Sequence, residues 1–229
     1  MIVRIVRALA ALLAAAALAP AALAQQTKAP FLYLNPPIAT DSAGKVEVVE
    51  FFWYECPHCY DLEPLLDRWI PKLGKDVQFK RVPATFNERW RLSARVFYAL
   101  ESMGVEDKLH KPLMDAIHKD RMRIAEPPGS RQGTGEGWTV STQTIDWLQK
   151  QGVDVAKFQA ALKSFAVESR LKRADQLVRD TRLDGVPALM VNGRYLVTTQ
   201  GGSQQMLDTA DALIEQARKE TASAPAAKK

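Results

Sequence analysis

Cys56 and Cys59 are the only cysteines in a chain of 229 residues, and they stand together as Cys56-Pro57-His58-Cys59. Two thiols separated by two residues can close into a disulfide and reopen without moving the rest of the chain. That spacing makes the pair a candidate redox centre. Two other readings compete with it. A structural zinc site needs four ligands, usually as two half-sites. This chain offers no second cysteine pair, and of its three histidines, His58, His110 and His118, the last two are eight apart. No metal and no cofactor are therefore expected. An inert staple is the other alternative, but a bridge over two residues closes too short a loop to give much stabilising leverage.

The flanking sequence says how the thiols are held. Lys45 to Tyr54 is dense in Val, Phe, Trp and Tyr and reads as a strand covered on both faces. After Cys56, the spacing of Leu62, Leu65, Leu66 and Trp69 predicts a helix. Cys56 thus falls at a strand-to-helix junction, where unpaired N–H groups and the helix dipole stabilise a thiolate. Pro57 fits the first helical turn because no N–H is needed there. His58 can add a positive charge or a donated hydrogen bond to the Cys56 sulfur; the plainer reading is an exposed loop histidine. Cys56 is expected to be the exposed nucleophile, and Cys59, one turn into the helix, the covered resolving thiol. A lowered Cys56 pKa stabilises the reduced form and makes the disulfide a strong oxidant.

Glu50 shares strand parity with Val48 and Phe52, so it is expected to point inward, six residues ahead of Cys56. There it could relay a proton for Cys59. The alternative is a solvated face, which is the expectation for Glu47 on the opposite side. Pro64, inside the helix that follows, removes one backbone hydrogen bond and is expected to kink it.

A second loop lies far away in sequence. Gly185-Val186-Pro187-Ala188 leads into Leu189-Met190-Val191, then Asn192-Gly193, then Tyr195-Leu196-Val197. Asn-Gly between two apolar runs is a two-residue hairpin signal. On sequence alone the Val186-Pro187 bond would more often be trans.

Strand, Cys-Pro-His-Cys at a helix start, and a distant Val-Pro before a hairpin and terminal helix together resemble the thioredoxin superfamily. Glu50-Phe51-Phe52 leading to Cys56-Pro57-His58-Cys59-Tyr60, with Gly185-Val186-Pro187-Ala188 and Val191-Asn192-Gly193, resembles the DsbA family of periplasmic thiol:disulfide oxidoreductases. The resemblance implies an α/β, thioredoxin-like fold: a central mixed β-sheet flanked by helices, with an inserted all-helical domain. It implies Cys56 as the attacking cysteine, Cys59 as its buried partner and His58 as the residue that stabilises the thiolate. It also implies a cis Pro187 packed against the redox disulfide Cys56–Cys59, Val186 offering backbone groups to a substrate peptide, and Glu50 as a buried acid. Glu63 matches a nearby acid but is expected to be solvated. The Gly129–Gly137 loop departs from the family pattern.

The ends bound the compartment. Arg4 and Arg7, the apolar run Ala8 to Ala19, and Ala22-Leu23-Ala24 read as a secretory signal cut near Ala24-Gln25, rather than a membrane anchor. Export to a periplasm would let a disulfide persist. Cleavage would leave 29 Lys+Arg against 26 Asp+Glu, interspersed, which gives no argument for nucleic acid.

The expected organisation is a signal peptide over 1–24, a thioredoxin-like domain in two parts, 25–84 and 175–220, a helical insertion over 85–174, and a tail over 221–229. Val77 to Val82 supplies a third strand. Helices are expected over Glu88–Met103, Asp107–His118, from Ser141 to near Gly152, from Asp154 through Phe165, over Ser169–Leu183 and over Ser203–Lys219. His110 and His118 read as ordinary helix residues. Phe51, Trp53 and Tyr54 are candidates for a groove, with core packing expected for at least two.

The function expected is oxidation of reduced exported proteins through a mixed disulfide on Cys56, by a monomer recharged by a membrane quinone-linked partner of the DsbB type. A reductase or isomerase of the same fold, and a peptide-binding chaperone, are the alternatives. Isomerases of this family usually carry a dimerisation domain, and residues 25–44 are too few to make one.

Overall fold

The strand that carries Glu50 is the centre of the molecule. β2 (Val46–Phe52) is buried along its whole length, as its near-continuous apolar sequence requires of a strand covered on both faces. The computed structural model describes residues 30–130 and 137–223. The signal segment, the centre of the Gly129–Gly137 loop and the last six residues of the tail lie outside the described residues.

β2 pairs in parallel with β3 (Val77–Pro83) on one side and antiparallel with β6 (Ala188–Val191) on the other. β7 (Tyr195–Thr198) follows β6, and β1 (Phe31–Tyr33) closes that edge, giving the order β1-β7-β6-β2-β3. The register matters for the chemistry, because it sets Glu50 against Arg81 of β3 and Leu189 of β6. β1 is a three-residue edge strand, too short for an alternation pattern to announce it. β4 (Ala125–Glu126) and β5 (Thr139–Val140) pair antiparallel and close the base of the Gly129–Gly137 loop, a feature the sequence pattern does not signal.

Among the described residues, α1 (Pro57–Trp69) and α7 (Ser203–Ser223) pack with one face of the sheet. Their Leu62, Leu66, Met206, Leu207 and Ile214 form one core with Val46, Val48, Val191 and Val197. The helices between β3 and β6 form a second core with Val49, Phe51 and Phe52. They are α2 (Glu88–Ser102), α3 (Glu106–His118), α4 (Thr142–Lys150), α5 (Val155–Leu162) and α6 (Phe165–Asp180). The chain is thus a mixed-sheet α/β fold with a helical insertion.

Most helix starts follow from their caps. Asn87, Ser141 and Asp154 each accept a hydrogen bond from a backbone N–H three residues on. Ser164 does the same for Val167, and this changes one expectation. The helix begun at Asp154 stops at Leu162, and α6 begins at Phe165 rather than Ser169, because Ser164 caps a new helix there. The terminal helix also runs past Lys219 to Ser223.

The β6–β7 turn differs from a two-residue loop. Val191 pairs with Tyr195, so three residues intervene, and Arg194 N–H bonds Val191 O at 3.0 Å. Asn192 (φ 49°) and Gly193 (φ 64°) take the left-handed conformation the pair favours. Gly193 also meets the chain before β2: its carbonyl accepts from Ile38 N–H at 2.8 Å. A Cβ on Gly193 would fall 1.9 Å from Ile38 O, so only glycine fits.

Candidate active site

Cys56 is the N-cap residue of α1, with extended backbone (φ −85°, ψ 117°), Pro57 next, and no side-chain oxygen capping the helix. The free N–H groups of the first turn are therefore left for the Cys56 sulfur. Both cysteines are free thiols here, so this is the dithiol form.

The Cys56 pKa falls from 9.0 to about 6. The main cause is a hydrogen bond from the Cys59 thiol. Burial opposes it, and the backbone N–H groups of Cys59 and His58 then add to it, with the charge of His58 contributing least of these. His58 is exposed, so solvent weakens its reach. Cys59, with no exposed surface, is pushed far up, chiefly by burial and then by the hydrogen bond and charge of the Cys56 sulfur, with Glu50 adding to it. The expectation of an exposed Cys56 needs correction: it is only 8% exposed, because the Val186-Pro187 loop covers it. The Cys56 thiol faces Val186 O at 3.6 Å. The Val186–Pro187 bond is cis, as the family resemblance implies. Pro187 is buried and Val186 half-buried.

Glu50 points inward and is wholly buried. Its Oε2 lies 3.2 Å from Arg81 Nε, an ion-pair distance, but off the hydrogen-bond direction, so neither carboxyl oxygen has a hydrogen bond among the described residues. Burial raises its pKa from 4.5 to about 7 against the pull of Arg81. The charge of Glu63 raises it further, and that of His110 opposes.

Three other expectations are overturned around Glu50. Glu63 is not solvated but 1% exposed. Burial would raise its pKa, but the His110 hydrogen bond and charge, with Arg81, hold it below the usual carboxylate value. His110 is not an ordinary helix histidine: Nδ1 lies 2.6 Å from Glu106 Oε1 and Nε2 lies 3.2 Å from Glu63 Oε1. Burial lowers its pKa, yet the hydrogen bonds to Glu106 and Glu63 leave it raised. Glu47 is also buried, because Ser42, the Asp41 N–H and Lys80 all reach its Oε2, Lys80 at 2.6 Å. Part of this was signalled: Glu63 shares the helix face of Cys59 and Leu66, and Glu106 lies four before His110.

Of the three aromatic candidates, Phe51 and Tyr54 are core. Trp53 stays half-buried and stacks on Trp90 at 4.1 Å, with the Arg89 guanidinium 5.2 Å from its ring centroid. His118 Nε2 meets Tyr54 O at 2.8 Å and its ring stacks on Tyr60, which ties α3 to the loop before Cys56.

Residues 47–213 match the family model described as a DSBA-like thioredoxin domain. The thiol:disulfide interchange protein DsbA of Pseudomonas aeruginosa is 38% identical over 190 residues, 82% of this chain and 83% of that protein. The protein of the same name from Azotobacter vinelandii is 41% identical over 177 residues, 76% of each chain. Among solved structures, the crystal structure of Pseudomonas aeruginosa DsbA superposes with a TM-score of 0.73 at 37% identity, covering 84% of this chain and 94% of that one. That of the oxidoreductase DsbA from Xylella fastidiosa gives 0.71 at 30% identity, covering 82% and 95%.

Proposed function

The chain belongs to the DsbA-like family of thiol:disulfide oxidoreductases, and from that premise we propose that it is a periplasmic dithiol oxidase. It gives its Cys56–Cys59 disulfide to newly exported reduced proteins. The observation that carries this reading is the asymmetry of the pair, with Cys56 lowered to about 6 and Cys59 raised.

A substrate thiolate attacks Cys56 Sγ of the disulfide. The Cys56–Cys59 bond breaks, its electron pair goes to Cys59, and Glu50 supplies the proton that this sulfur demands. The product is a mixed disulfide on Cys56. The substrate's second thiolate then attacks the substrate sulfur of that bond, and Cys56 leaves as a thiolate. The substrate has lost two electrons and gained a disulfide; the enzyme holds both electrons as a dithiol. Cys56 leaves readily because the helix N–H groups, Cys59 and His58 already stabilise its anion. A membrane quinone-linked partner of the DsbB type takes the electrons back.

The remaining roles follow the same scheme. Pro57 begins the helix that presents the sulfurs. Val186, whose carbonyl faces Cys56, offers backbone groups to an extended substrate segment, and Pro187 packs the loop onto the pair. Backbone pairing reads little side-chain identity, which suits many substrates. The reading places the chain in the periplasm, as a monomer, after removal of its leader.

Trapping tests the scheme. Cys59→Ala removes the enzyme's own disulfide, so its Cys56 thiolate forms an adduct by attacking a disulfide of an exported protein and expelling one substrate thiolate, and no second enzyme thiol can reverse it. Periplasmic proteins are expected to accumulate on it as reducible adducts. A Cys59→Ala protein that collects none contradicts the proposal.

A further inference from the structure

Glu50 is one end of a buried array drawn from β2, β3, α1 and α3. Arg81 Nε lies 3.2 Å from Glu50 Oε2, and Arg81 Nη2 lies 3.5 Å from Glu63 Oε2. His110 Nε2 lies 3.2 Å from Glu63 Oε1 and Nδ1 lies 2.6 Å from Glu106 Oε1. The Tyr54 hydroxyl donates to the same Glu106 oxygen at 3.4 Å. Glu50, Glu63, Glu106 and His110 are all buried.

Charge counting shows what the array does. His110 faces a carboxylate oxygen on each ring nitrogen, so both nitrogens carry protons and the ring is a cation. Arg81 is always charged. These two cations offset Glu63 and Glu106. Glu50 is then the third acid for two cations, and its oxygens accept no hydrogen bond among the described residues. Ionising it leaves the buried array one negative charge in excess. Such a carboxyl gains and loses its proton near neutrality, and the balance depends on the charges at the far end of the array.

We propose that His110 is a positioning residue for the proton step at Cys59: its charge, held between Glu63 and Glu106, lets Arg81 offset Glu50, so that Glu50 can exchange a proton with the buried thiol. The inference rests on the reading of Glu50 as the proton partner of Cys59. It deepens that reading by assigning a role to a residue one helix further away. The groups that act on Glu50 are Arg81 from β3, Glu63 and Cys59 from α1, and His110 from α3; Glu106 from α3 faces His110, Tyr54 from the loop before α1 faces Glu106, and β6 places Leu189 beside Glu50.

The test is the closure of the enzyme disulfide, followed in single turnover with glutathione disulfide. The Cys56 thiolate attacks glutathione disulfide and releases one glutathione thiolate. Cys59 then gives its proton to Glu50, and its sulfur attacks Cys56 Sγ and expels the second glutathione thiolate. Two electrons pass from the enzyme to two glutathione molecules. In the unaltered protein the closure rate is expected to rise with pH through an inflection near 7, the Glu50 value. His110→Gln removes a cation, so the inflection moves to higher pH and closure at neutral pH slows about three- to tenfold. Glu63→Gln removes an anion, so the inflection moves to lower pH. Mere loosening of the core would move both variants the same way.

Glu50→Gln separates the two ideas, since it should abolish the inflection. If it does so while His110→Gln leaves the profile in place, the His110 inference is overturned and the Glu50 reading stands. If Glu50→Gln keeps the inflection, both fall. Should His110→Gln fail to fold, nitrogen-15 spectra of the unaltered protein decide: a doubly protonated His110 ring at neutral pH is expected, and a neutral ring overturns the inference.

Discussion

Cys56 and Cys59 stand three positions apart, yet they hold their protons with very different affinity. Cys56 occupies a cap position that no oxygen fills, and its anion gathers the Cys59 thiol and the first-turn N–H groups. Cys59 lies one turn deeper with no exposed surface. The fall of Cys56 from 9.0 to about 6 has a measurable consequence in the reduced protein. A thiol whose folded pKa is depressed contributes stability that is complete above the unfolded value of 9 and is lost as pH falls through about 6. The loss amounts to roughly 4 kcal/mol. Thiolate absorbance should titrate with a midpoint near 6, and urea unfolding of the reduced form should weaken with acidification from about pH 9 to about pH 6. The oxidised protein has no Cys56 thiol to titrate, so it is the reference from which the loss in the reduced form is read as a difference. A midpoint near 9, or a difference that stays flat with pH, would contradict the assignment. At this scale the pair and the Val-Pro were legible because each is a local motif. The weight placed on His58 was not, because a motif does not show that the side chain is exposed.

At the scale of elements, local signals governed what could be read. β2, β3 and the β6–β7 hairpin are dense apolar runs, and the caps at Asn87, Ser141 and Asp154 are ordinary capping chemistry. β1, β4 and β5 have two or three residues each, too few for a period to appear. The α5–α6 break depends on one serine at position 164, and the apolar Phe165 just beyond it points to solvent, against the pattern. The β6–β7 turn is where an element-scale prediction can be made. Gly193→Ala must strain a left-handed residue and push a methyl into Ile38 O, 1.9 Å away. It should cost roughly 2 kcal/mol and lower the thermal midpoint by several degrees, with the thiol chemistry of Cys56 unchanged. An unshifted midpoint would show that the segment around Ile38 yields without cost.

The whole molecule explains why half of the site was hidden in the sequence. Glu50 meets Arg81 only because β2 and β3 pair in one register, and Glu63 meets His110 only because α1 packs beside α3. These residues come from four elements, and no spacing rule joins them. Glu63 read as solvated because a single acid on a helix usually is; here Arg81 and His110 compensate it. The fold class was legible because the order of strands, helices and motifs is that of the family. The assembled molecule sets a covered, low-pKa sulfur against the Val186 carbonyl, while the buried Glu50 acts on its partner Cys59. On the proposed reading, this asymmetry favours a disulfide that is given away. The direct measurement is equilibration with glutathione buffers of varied thiol-to-disulfide ratio, with the two enzyme forms counted by thiol labelling. A strong oxidant keeps a substantial reduced fraction even where oxidised glutathione predominates, and that is the result expected. A protein that stays in its disulfide form in predominantly reduced glutathione would contradict it.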